Sequence, residues 1–324
     1  MTTRTVPATE QRSLAERLHI TSSVVLVGII VFEIIIFSAV QPAFLTATNL
    51  LNAARASSVM GIVAIGVTFG LISGAVDLSV ASVLALSGVV GHTLLTSGVP
   101  GPIAVAGALV TGALFGLFNG IVTVRFRVNS LITTIGTLTI ARGLAFGIAD
   151  DAAPRSRDAF FNLFQTRLLG VPLAVLACGL LFLAGWYVLW YTRFGRYAYA
   201  IGDNSAAAWE AGLKVDRLRI GYLVLSGFLA GFAGWVLASM AATGNKGAAA
   251  GTELIVITAV LLGGVGFTGG SGSMSGTLIA VVLMGILVNG MSLMGLISTY
   301  QIIVIGLLLL VAMAAQTRRT GGWR

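Results

Sequence analysis

Two carboxylates lie where the surrounding sequence is otherwise suited to lipid. Asp77 is the only charged residue between Ala56 and Val124, and Glu33 lies midway along the first long apolar stretch. A charge held in lipid costs roughly 2.5–3.5 kcal/mol even on translocon scales, so a retained acid is a candidate for a proton relay or a gate. Asp77 would also suit the cap of a helix over 78–90. Glu33 would also be accommodated by pairing with a neighbouring donor or by staying protonated.

A glycine-rich stretch, "LLGGVGFTGGSGSMSGTLIA" at 261–280, is the second candidate for chemistry, because loops of this kind can cradle phosphates. A phosphate-binding P-loop needs the pattern GxxxxGK[ST], in which the lysine reaches the phosphates. No lysine lies anywhere from Gly247 to Arg324, so ATP binding by this device is excluded. Close packing of helices through small residues explains single glycines more directly. As a group they form a candidate hinge: Gly263, Gly264, Gly269, Gly270 and Gly272.

Neutral polar side chains on apolar stretches are the third group of candidate functional residues. Asn119, Asn289 and Ser292 would suit the passage of a polyhydroxyl solute, although such residues more often form bridges between helices. The candidates for a translocation path or gate are Glu33, Asp77, Ser79, Asn119, Asn289 and Ser292.

The remaining reactive residues show no pattern typical of catalysis or metal binding. Cys178 is the one cysteine, so it makes neither an internal disulfide nor a cysteine-based metal site. The two histidines, His19 and His92, are far apart and have no ligand spacing. We therefore expect no catalytic residue, no cofactor and no metal.

The composition places most of the chain in lipid. Of the 324 residues, 57% are hydrophobic and 9% are charged, whereas soluble domains are about 25% charged. The net charge of +8 would fit nucleic-acid binding. However, the basic residues lie in loops and tails, without the basic stripe and interleaved aromatics of nucleic-acid binders. We therefore expect these charges to orient a membrane protein and no nucleic acid to bind.

Ten apolar runs have a length near the roughly 17–25 residues that cross a bilayer. The count of ten takes each of the two glycine-interrupted stretches, 66–88 and 261–280, as belonging to a pair of runs that makes two crossings. Irregular backbone in a bilayer must be buried in protein or face a wet cavity, and paired broken segments indicate a transport path. The runs lie at 22–40, 57–73, 79–97, 102–124, 130–149, 171–192, 220–242, 253–270, 274–291 and 297–315.

The basic residues predict the orientation. Of 19 lysines and arginines, 13 fall on the side of the N-terminus, five on the other side, and Arg142 within a span. This excess predicts that both termini are cytoplasmic. We thus predict an all-α polytopic protein of about ten transmembrane helices with broken or re-entrant segments. A cytoplasmic tail at 1–21 and another at 316–324 flank one transmembrane domain at 22–315, whose longest cytoplasmic loop is 193–219. The longest outer loop, 150–170, is either a docking surface or simply solvated.

Four stretches, in order, resemble a known family: "LISGAVDLSVASVLALSG", "FRVNSLITTIGTLTIARGLAF", "GRYAYAIGDNSAAAWEAGL" and "ELIVITAVLLGGVGFTGGSGSMSGTLIA". They are similar to successive signatures of permease subunits from bacterial ABC importers of the ribose, xylose and arabinose class. The resemblance extends from about Leu50 to Ala315. One departure is Ala75–Val76 and Ala81, where the family often has Gly-Ile and Gly. This leaves the local backbone stiffer but keeps Asp77.

The resemblance implies a permease subunit without an enzymatic site of its own, in the bacterial cytoplasmic (inner) membrane. It would form the path for a monosaccharide or related polyhydroxyl solute. Two such subunits, identical or related, would form the pore. The implied partners are a cytoplasmic ATPase, commonly with two fused nucleotide-binding domains, and a periplasmic or lipid-anchored sugar-binding protein. Which sugar or polyol is carried stays open.

The resemblance also implies a role for the polar stretch "AIGDNSAAAWEAGLK" at 200–214, because a short helix in such a loop docks into a cleft on the ATPase. Small side chains four residues apart share one helix face and allow a close approach. Asp203, Asn204 or Ser205 would cap the start of this helix. An ordinary surface helix that joins two spans is the alternative. The residues expected to couple to the ATPase are Gly202, Asp203, Asn204, Ala207, Ala208, Ala211 and Gly212.

Two rival functions follow from the residues alone. A proton-coupled secondary transporter would use Asp77 and Glu33 as a relay. A channel or a membrane scaffold would need neither these acids nor the stretch at 200–214. Alternating access driven by the ATPase is the mechanism that the resemblance favours.

Overall fold

The computed structural model describes residues 8–149 and 155–319, and this part of the chain is almost wholly helical. Parts of both predicted tails, 1–7 and 320–324, and residues 150–154 of the outer loop lie outside the described residues. The helices are α1 Ala8–Val40, α2 Ala47–Ile72, α3 Val80–Thr96, α4 Gly101–Arg125, α5 Ser130–Ile148, α6 Leu173–Tyr191, α7 Arg193–Asp203, α8 Ser205–Glu210, α9 Val215–Ala241, α10 Thr252–Leu262, α11 Met274–Leu293 and α12 Ser298–Arg319.

A short insertion separates α5 from α6. It contains a 3₁₀ turn, Phe161–Gln165, followed by strands β1 Arg167–Leu168 and β2 Val171–Pro172. The strands pair antiparallel, with Arg167 opposite Pro172.

The prediction of an all-helical membrane protein is confirmed. Six of the described helices, α2, α4, α5, α6, α9 and α11, are long and apolar enough to cross a membrane. Four apolar helical segments are shorter: Val24–Val40 of α1, α3, α10 and Ser298–Ala314 of α12. Each of these ten segments overlaps one of the ten predicted runs, whereas the number of crossings and the orientation stay predictions.

Helix α10 is much shorter than the predicted span at 253–270. It has 11 residues, about 16 Å at about 1.5 Å per residue, which is roughly half of the hydrocarbon thickness. The helix ends at Leu262 because Gly264 adopts a left-handed conformation with φ 88°. An irregular loop at 263–273 follows, and α11 begins after Ser273, whose side chain accepts a hydrogen bond from the Gly276 amide. The predicted broken segment is therefore this loop.

Helices α1 and α2 begin about ten or more residues before their predicted spans. Helix α1 already begins at Ala8, inside the predicted tail at 1–21. Helix α2 begins at Ala47, where the Thr46 side chain accepts a hydrogen bond from the Asn49 amide. Helical hydrogen bonding thus continues beyond the apolar residues that define a span.

Helix α9 packs backbone to backbone against α4. A Cβ added to Gly112 would lie 2.2 Å from the Gly227 carbonyl oxygen, and one added to Gly116 would lie 2.3 Å from the Leu223 oxygen. A Cβ on Gly231 would lie 2.8 Å from the Ala108 oxygen. Small residues four apart on both helices permit this approach, as is typical of membrane helix pairs. Helices α2, α3 and α9 form the buried centre, while α4, α5 and α6 expose apolar faces suited to lipid.

The loops gather at two ends of the bundle. At one end, the turn at 73–79 contacts the start of α5 and the loop at 263–273, through the bonds from the Val76 amide to Ser130 and from the Gly270 amide to the Ile72 oxygen. At the other end, the Ser156 amide donates to the Ala242 oxygen at 2.8 Å. We call these the predicted cytoplasmic end and the predicted outer end, after the orientation that the basic residues predict.

Candidate functional site

Asp77 lies in the turn at 73–79 and is 1% exposed. Its Oδ1 accepts hydrogen bonds from the Ser79 amide at 3.0 Å and from the Ser79 hydroxyl at 2.6 Å. Its Oδ2 accepts one from the Ser226 hydroxyl of α9 at 2.8 Å. Ser79 is the N-cap of α3. Asp77 therefore supports the start of this helix from two residues upstream and also connects it to α9.

Asn119 extends this network to α4. Its Nδ2 donates to the Ser79 hydroxyl at 2.9 Å, while its buried Oδ1 has no hydrogen-bond partner among the residues that the structure describes. The structure thus brings together three of the predicted path residues, Asp77, Ser79 and Asn119. It adds Ser226, which the sequence did not single out because serines on apolar spans are common. We call these four residues the Asp77 cluster.

Helix α5 satisfies the irregular backbone of the turn at 73–79. The Ser130 hydroxyl accepts from the Val76 amide at 3.2 Å, and the Thr134 hydroxyl accepts from the Leu78 amide at 3.2 Å. Ser130 and Thr134 are one helical turn apart, so they face the turn together. The backbone groups of a broken segment are therefore paired inside the protein, as a low-dielectric surrounding requires.

The other predicted path residues lie apart from the Asp77 cluster. Asn289 and Asn49 exchange two amide hydrogen bonds, at 2.9 and 3.0 Å, which join α11 to α2. The Ser292 hydroxyl donates to the Val288 oxygen and accepts from Gln301. Both are bridges within or between helices. Glu33, on α1, is 8% exposed, and its Oε2 has no hydrogen-bond partner among the described residues.

The stretch at 200–214 forms the end of α7, the short helix α8 and the turn after it. The extended backbone of Asn204 ends α7, and its side chain caps α8, since its Oδ1 accepts from the Ala206 amide at 3.1 Å and the Ala207 amide at 3.0 Å. Gly212 follows α8 with φ 83°. Of the predicted contact residues, Ala208 faces inward at 6% exposure. The exposed ones are Asp203, Asn204, Ala207, Ala211 and Gly212.

Trp209 is a surface feature of α8 that the sequence did not mark. Its side chain is 71% exposed, beside the exposed Ala207 and Glu210. Tryptophan is enriched among the residues that contribute most to protein interfaces. The signal was present in the sequence, as one aromatic residue within a run of alanines.

Gly202 joins α7 to both broken segments. A Cβ at this position would lie 1.9 Å from the Ile72 oxygen and 2.3 Å from the Gly270 nitrogen. The Gly270 amide itself donates to the Ile72 oxygen at 2.8 Å. A Cβ on Gly269 would lie 3.0 Å from the Gly202 Cα. The end of α2, the end of α7 and the loop at 263–273 therefore meet backbone to backbone, and we call this contact the glycine junction.

The predicted hinge glycines form the third side of this junction. Gly263 packs against Gly276 of α11, where an added Cβ would lie 2.7 Å from backbone atoms. The other four have positive φ angles between 73° and 134°, which side chains other than glycine's rarely allow. These are Gly264, Gly269, Gly270 and Gly272.

Tyr199 provides a side-chain bond across the same junction. Its hydroxyl donates to the Gly272 oxygen at 2.9 Å, and burial raises the pKa of this phenol to about 12. This folded-state pKa exceeds the ordinary value of 10, so the protonated phenol contributes to the free energy of unfolding. That contribution is complete below pH 10 and is lost as the pH rises through about 12.

We expect Tyr199→Phe to lower the free energy of unfolding by about 1 kcal/mol, the usual net value of one hydrogen bond. Thermal unfolding of the purified protein in detergent at neutral pH measures this change. Tyr197→Phe, on the same helix, is the matched control. Equal stability of Tyr199→Phe and the unmodified protein would contradict the bond to Gly272.

Comparison with known proteins places this sequence among transport permeases. Residues 49–313 match the family described as "Branched-chain amino acid transport system / permease component". The ribose import permease protein RbsC of Escherichia coli K12 is 35% identical, over 98% of this chain and 100% of its own length. The L-arabinose ABC transporter permease protein AraH of Azospirillum brasilense is 38% identical, over 90% of this chain and 88% of its own length. No solved structure matches the chain.

Proposed function

We propose that this chain, which belongs to the family of branched-chain amino acid transport system permease components, forms the translocation path of an ABC importer. The proposed solute is a monosaccharide or a related polyhydroxyl compound. The observation that carries the proposal is the match to a ribose import permease along 98% of the chain. Relatives named for L-arabinose transport extend the solute class to a second pentose. The resemblance inferred from four sequence stretches is thereby confirmed.

A separate cytoplasmic ATPase powers this permease in our proposal, and α8 is the docking element. The exposed residues of α8 and its C-cap include two small ones on one side, Ala207 and Ala211, and one large aromatic residue on the other side, Trp209. Small side chains admit a partner surface closely, and an exposed tryptophan offers a large apolar area to bury. Gly202 and Ala208 face the interior of the protein, and their contacts there fix the position of α8.

Force applied to α8 reaches the membrane helices through the glycine junction. Helix α7 contacts the end of α2 and the loop before α11 without intervening side chains, so a displacement of Gly202 moves both. The turn at 73–79 continues from α2 to the Asp77 cluster, which binds α3, α4 and α9. Two packings of these helices, separated by a few kcal/mol, would provide alternating access that ligands on either side can bias.

The remaining partners follow from the same proposal. Two permease subunits, identical or related, surround one path, and two fused nucleotide-binding domains provide the paired ATPase sites. A periplasmic or lipid-anchored binding protein docks at the predicted outer end, where the 155–172 insertion and the 242–251 loop are hydrogen-bonded together. Both termini then lie in the cytoplasm, and the protein resides in the bacterial inner membrane.

Ala207→Arg tests the docking of α8. We expect at least about a tenfold loss of ATPase co-purification and of solute uptake, because a long charged side chain separates surfaces that small residues had brought together. Ala200→Arg, also exposed but on α7, is the matched control for charge and folding. The measurements are pull-down of the importer complex and uptake into proteoliposomes.

Two outcomes would reject the proposal. Normal uptake by Ala207→Arg would favour a channel or scaffold that needs no docked ATPase. Accumulation driven by a proton gradient, with the permease alone in the liposome, would favour the secondary transporter that uses Asp77 and Glu33.

A further inference from the structure

A cavity of about 240 Å³ lies at the predicted outer end, between α3, α9 and the loop at 242–251. Water occupies about 30 Å³ per molecule in the liquid, so the cavity equals about eight waters in volume. Its walls are mainly small residues of the two helices, including Gly88 and Ala238, and its polar groups are Thr243 and Asn245 of the loop.

The close contact of α3 and α9 closes the cavity toward the membrane centre. A Cβ on Gly88 would lie 2.8 Å from the Gly234 oxygen, and one on Gly234 would lie 2.1 Å from the Leu84 oxygen. Beyond this contact α9 ends at Ala241, and the chain folds back over α3. Gly244 touches α3 there, since its added Cβ would lie 2.9 Å from the Val89 Cα. The 242–251 loop is therefore the roof of the cavity.

The roof is held in a strained shape. Ala242 and Ala249 have φ angles of 60° and 56°, in the left-handed region that alanine rarely adopts. Arg142 of α5 holds the loop from outside the cavity, because its Nη1 donates to the Lys246 oxygen at 3.2 Å and to the Ala248 oxygen at 2.9 Å. Strained backbone persists where surrounding contacts over-determine it, and it concentrates at ligand clamps and active sites.

We propose that this cavity is an outer solute subsite, which receives a neutral sugar-sized molecule after delivery and before passage; the assignment rests on the proposed function. Among the eleven described residues that line it, none is charged. A zwitterionic amino acid would find no charged side chain among these lining residues to pair with its ammonium and carboxylate groups. The hydroxyl of Thr243 and the amide of Asn245 can both donate to and accept from sugar hydroxyls.

The lining of the subsite predicts weak binding of the solute. Glycine and alanine walls offer little contact area to a solute, and two polar side chains provide few hydrogen bonds. Binding is therefore weak, which allows release toward the cytoplasm. The site discriminates against amino acids because its lining residues carry no charge, and the volume of the cavity sets the size of the solute that it accepts.

Ala241→Leu tests the subsite by filling it. Ala241 is half-buried at the end of α9, so the larger side chain occupies the cavity space. We expect uptake of labelled D-ribose and L-arabinose by the complete importer to fall at least about tenfold, while ATPase co-purification is unchanged. Ala106→Leu, exposed on α4, is the matched control with the same increase in size.

Thiol labelling gives a second readout that needs no transport. Ala248→Cys, at a lining position that provides no side-chain hydrogen bond to the solute, is treated in a Cys178→Ala background with a membrane-impermeant maleimide from the outside. D-ribose or L-arabinose is expected to slow its labelling severalfold, whereas L-leucine and the control Ser97→Cys, in the exposed turn after α3, show no such change.

The two readouts separate failure of the subsite from failure of the proposed function. An importer that carries neither of these sugars, nor any of a panel of other pentoses, hexoses and polyols, contradicts the proposed solute class. Labelling of Ala248→Cys that a transported sugar does not slow, or wild-type uptake by Ala241→Leu, overturns the subsite alone. Protection by L-leucine in place of the sugars also overturns it.

Discussion

Replacing Gly202 with alanine is expected to reduce solute uptake by at least about a hundredfold. The new Cβ would lie 1.9 Å from the Ile72 oxygen and 2.3 Å from the Gly270 nitrogen. Both neighbours are backbone atoms, so no side-chain rotation relieves the overlap and α7 must move away. Overpacking of this kind costs typically about 1–3 kcal/mol, enough to shift the balance between two packings that differ by a few kcal/mol. The docking helix then no longer moves α2 and the 263–273 loop together.

Gly221→Ala is the matched control for this result. It lies near the start of α9, and its added Cβ would meet the Phe194 ring at 3.5 Å, an ordinary van der Waals distance. Uptake and ATPase co-purification are measured for both variants. We expect Gly202→Ala to retain the ATPase but lose uptake, and Gly221→Ala to retain both. Near-normal uptake by Gly202→Ala would show that the glycine junction does not transmit the motion.

Asp77→Ala is expected to lower the free energy of unfolding by about 3 kcal/mol or more. The substitution leaves three buried donors without their acceptor, namely the amide and hydroxyl of Ser79 and the hydroxyl of Ser226. Each such orphaned group costs about 1–3 kcal/mol. Since Ser79 also accepts from Asn119, the loss spreads to α4. Unfolding in detergent, followed by thermal or denaturant titration, measures the change.

Asp77→Asn is the informative partner of this variant. The asparagine oxygen can still accept from Ser79, and its amide can donate to the Ser226 hydroxyl, so we expect a cost of about 1 kcal/mol or less. Uptake should then stay within a few-fold of the unmodified permease, because an ATPase-driven path needs no titrating carboxylate. A stably folded Asp77→Asn that does not transport would indicate that the charge itself is required, as in a proton relay.

Hydropathy was sufficient to locate the ten apolar helical segments, because a span must be apolar over its length. It did not predict where α10 stops. Val265 and Phe267 continue the apolar character past Leu262, and only the backbone geometry of the glycines ends the helix. A similar difficulty concerns Gly202. Spacing of small residues indicates that they share a face, but it does not say whether that face meets a partner or the protein's own interior.

The Asp77 cluster shows which part of a site is visible in sequence. Asp77 was conspicuous because a charge in an apolar run is costly. Its partner Ser226 is 149 residues away, and Ser130, which holds the same turn, is 54 residues from Val76. A lone hydroxyl on an apolar helix carries no such energetic signature. Its role became apparent only when the fold brought it to the carboxylate.

The backbone contact between α4 and α9 is expected to hold these two helices together as one rigid unit. Gly112, Gly116 and Gly227 leave no side chains between these helices, so sliding would bring peptide groups into collision. In the proposed transport cycle this pair is therefore the stationary reference, and α2 and the 263–273 loop are the parts expected to shift against it.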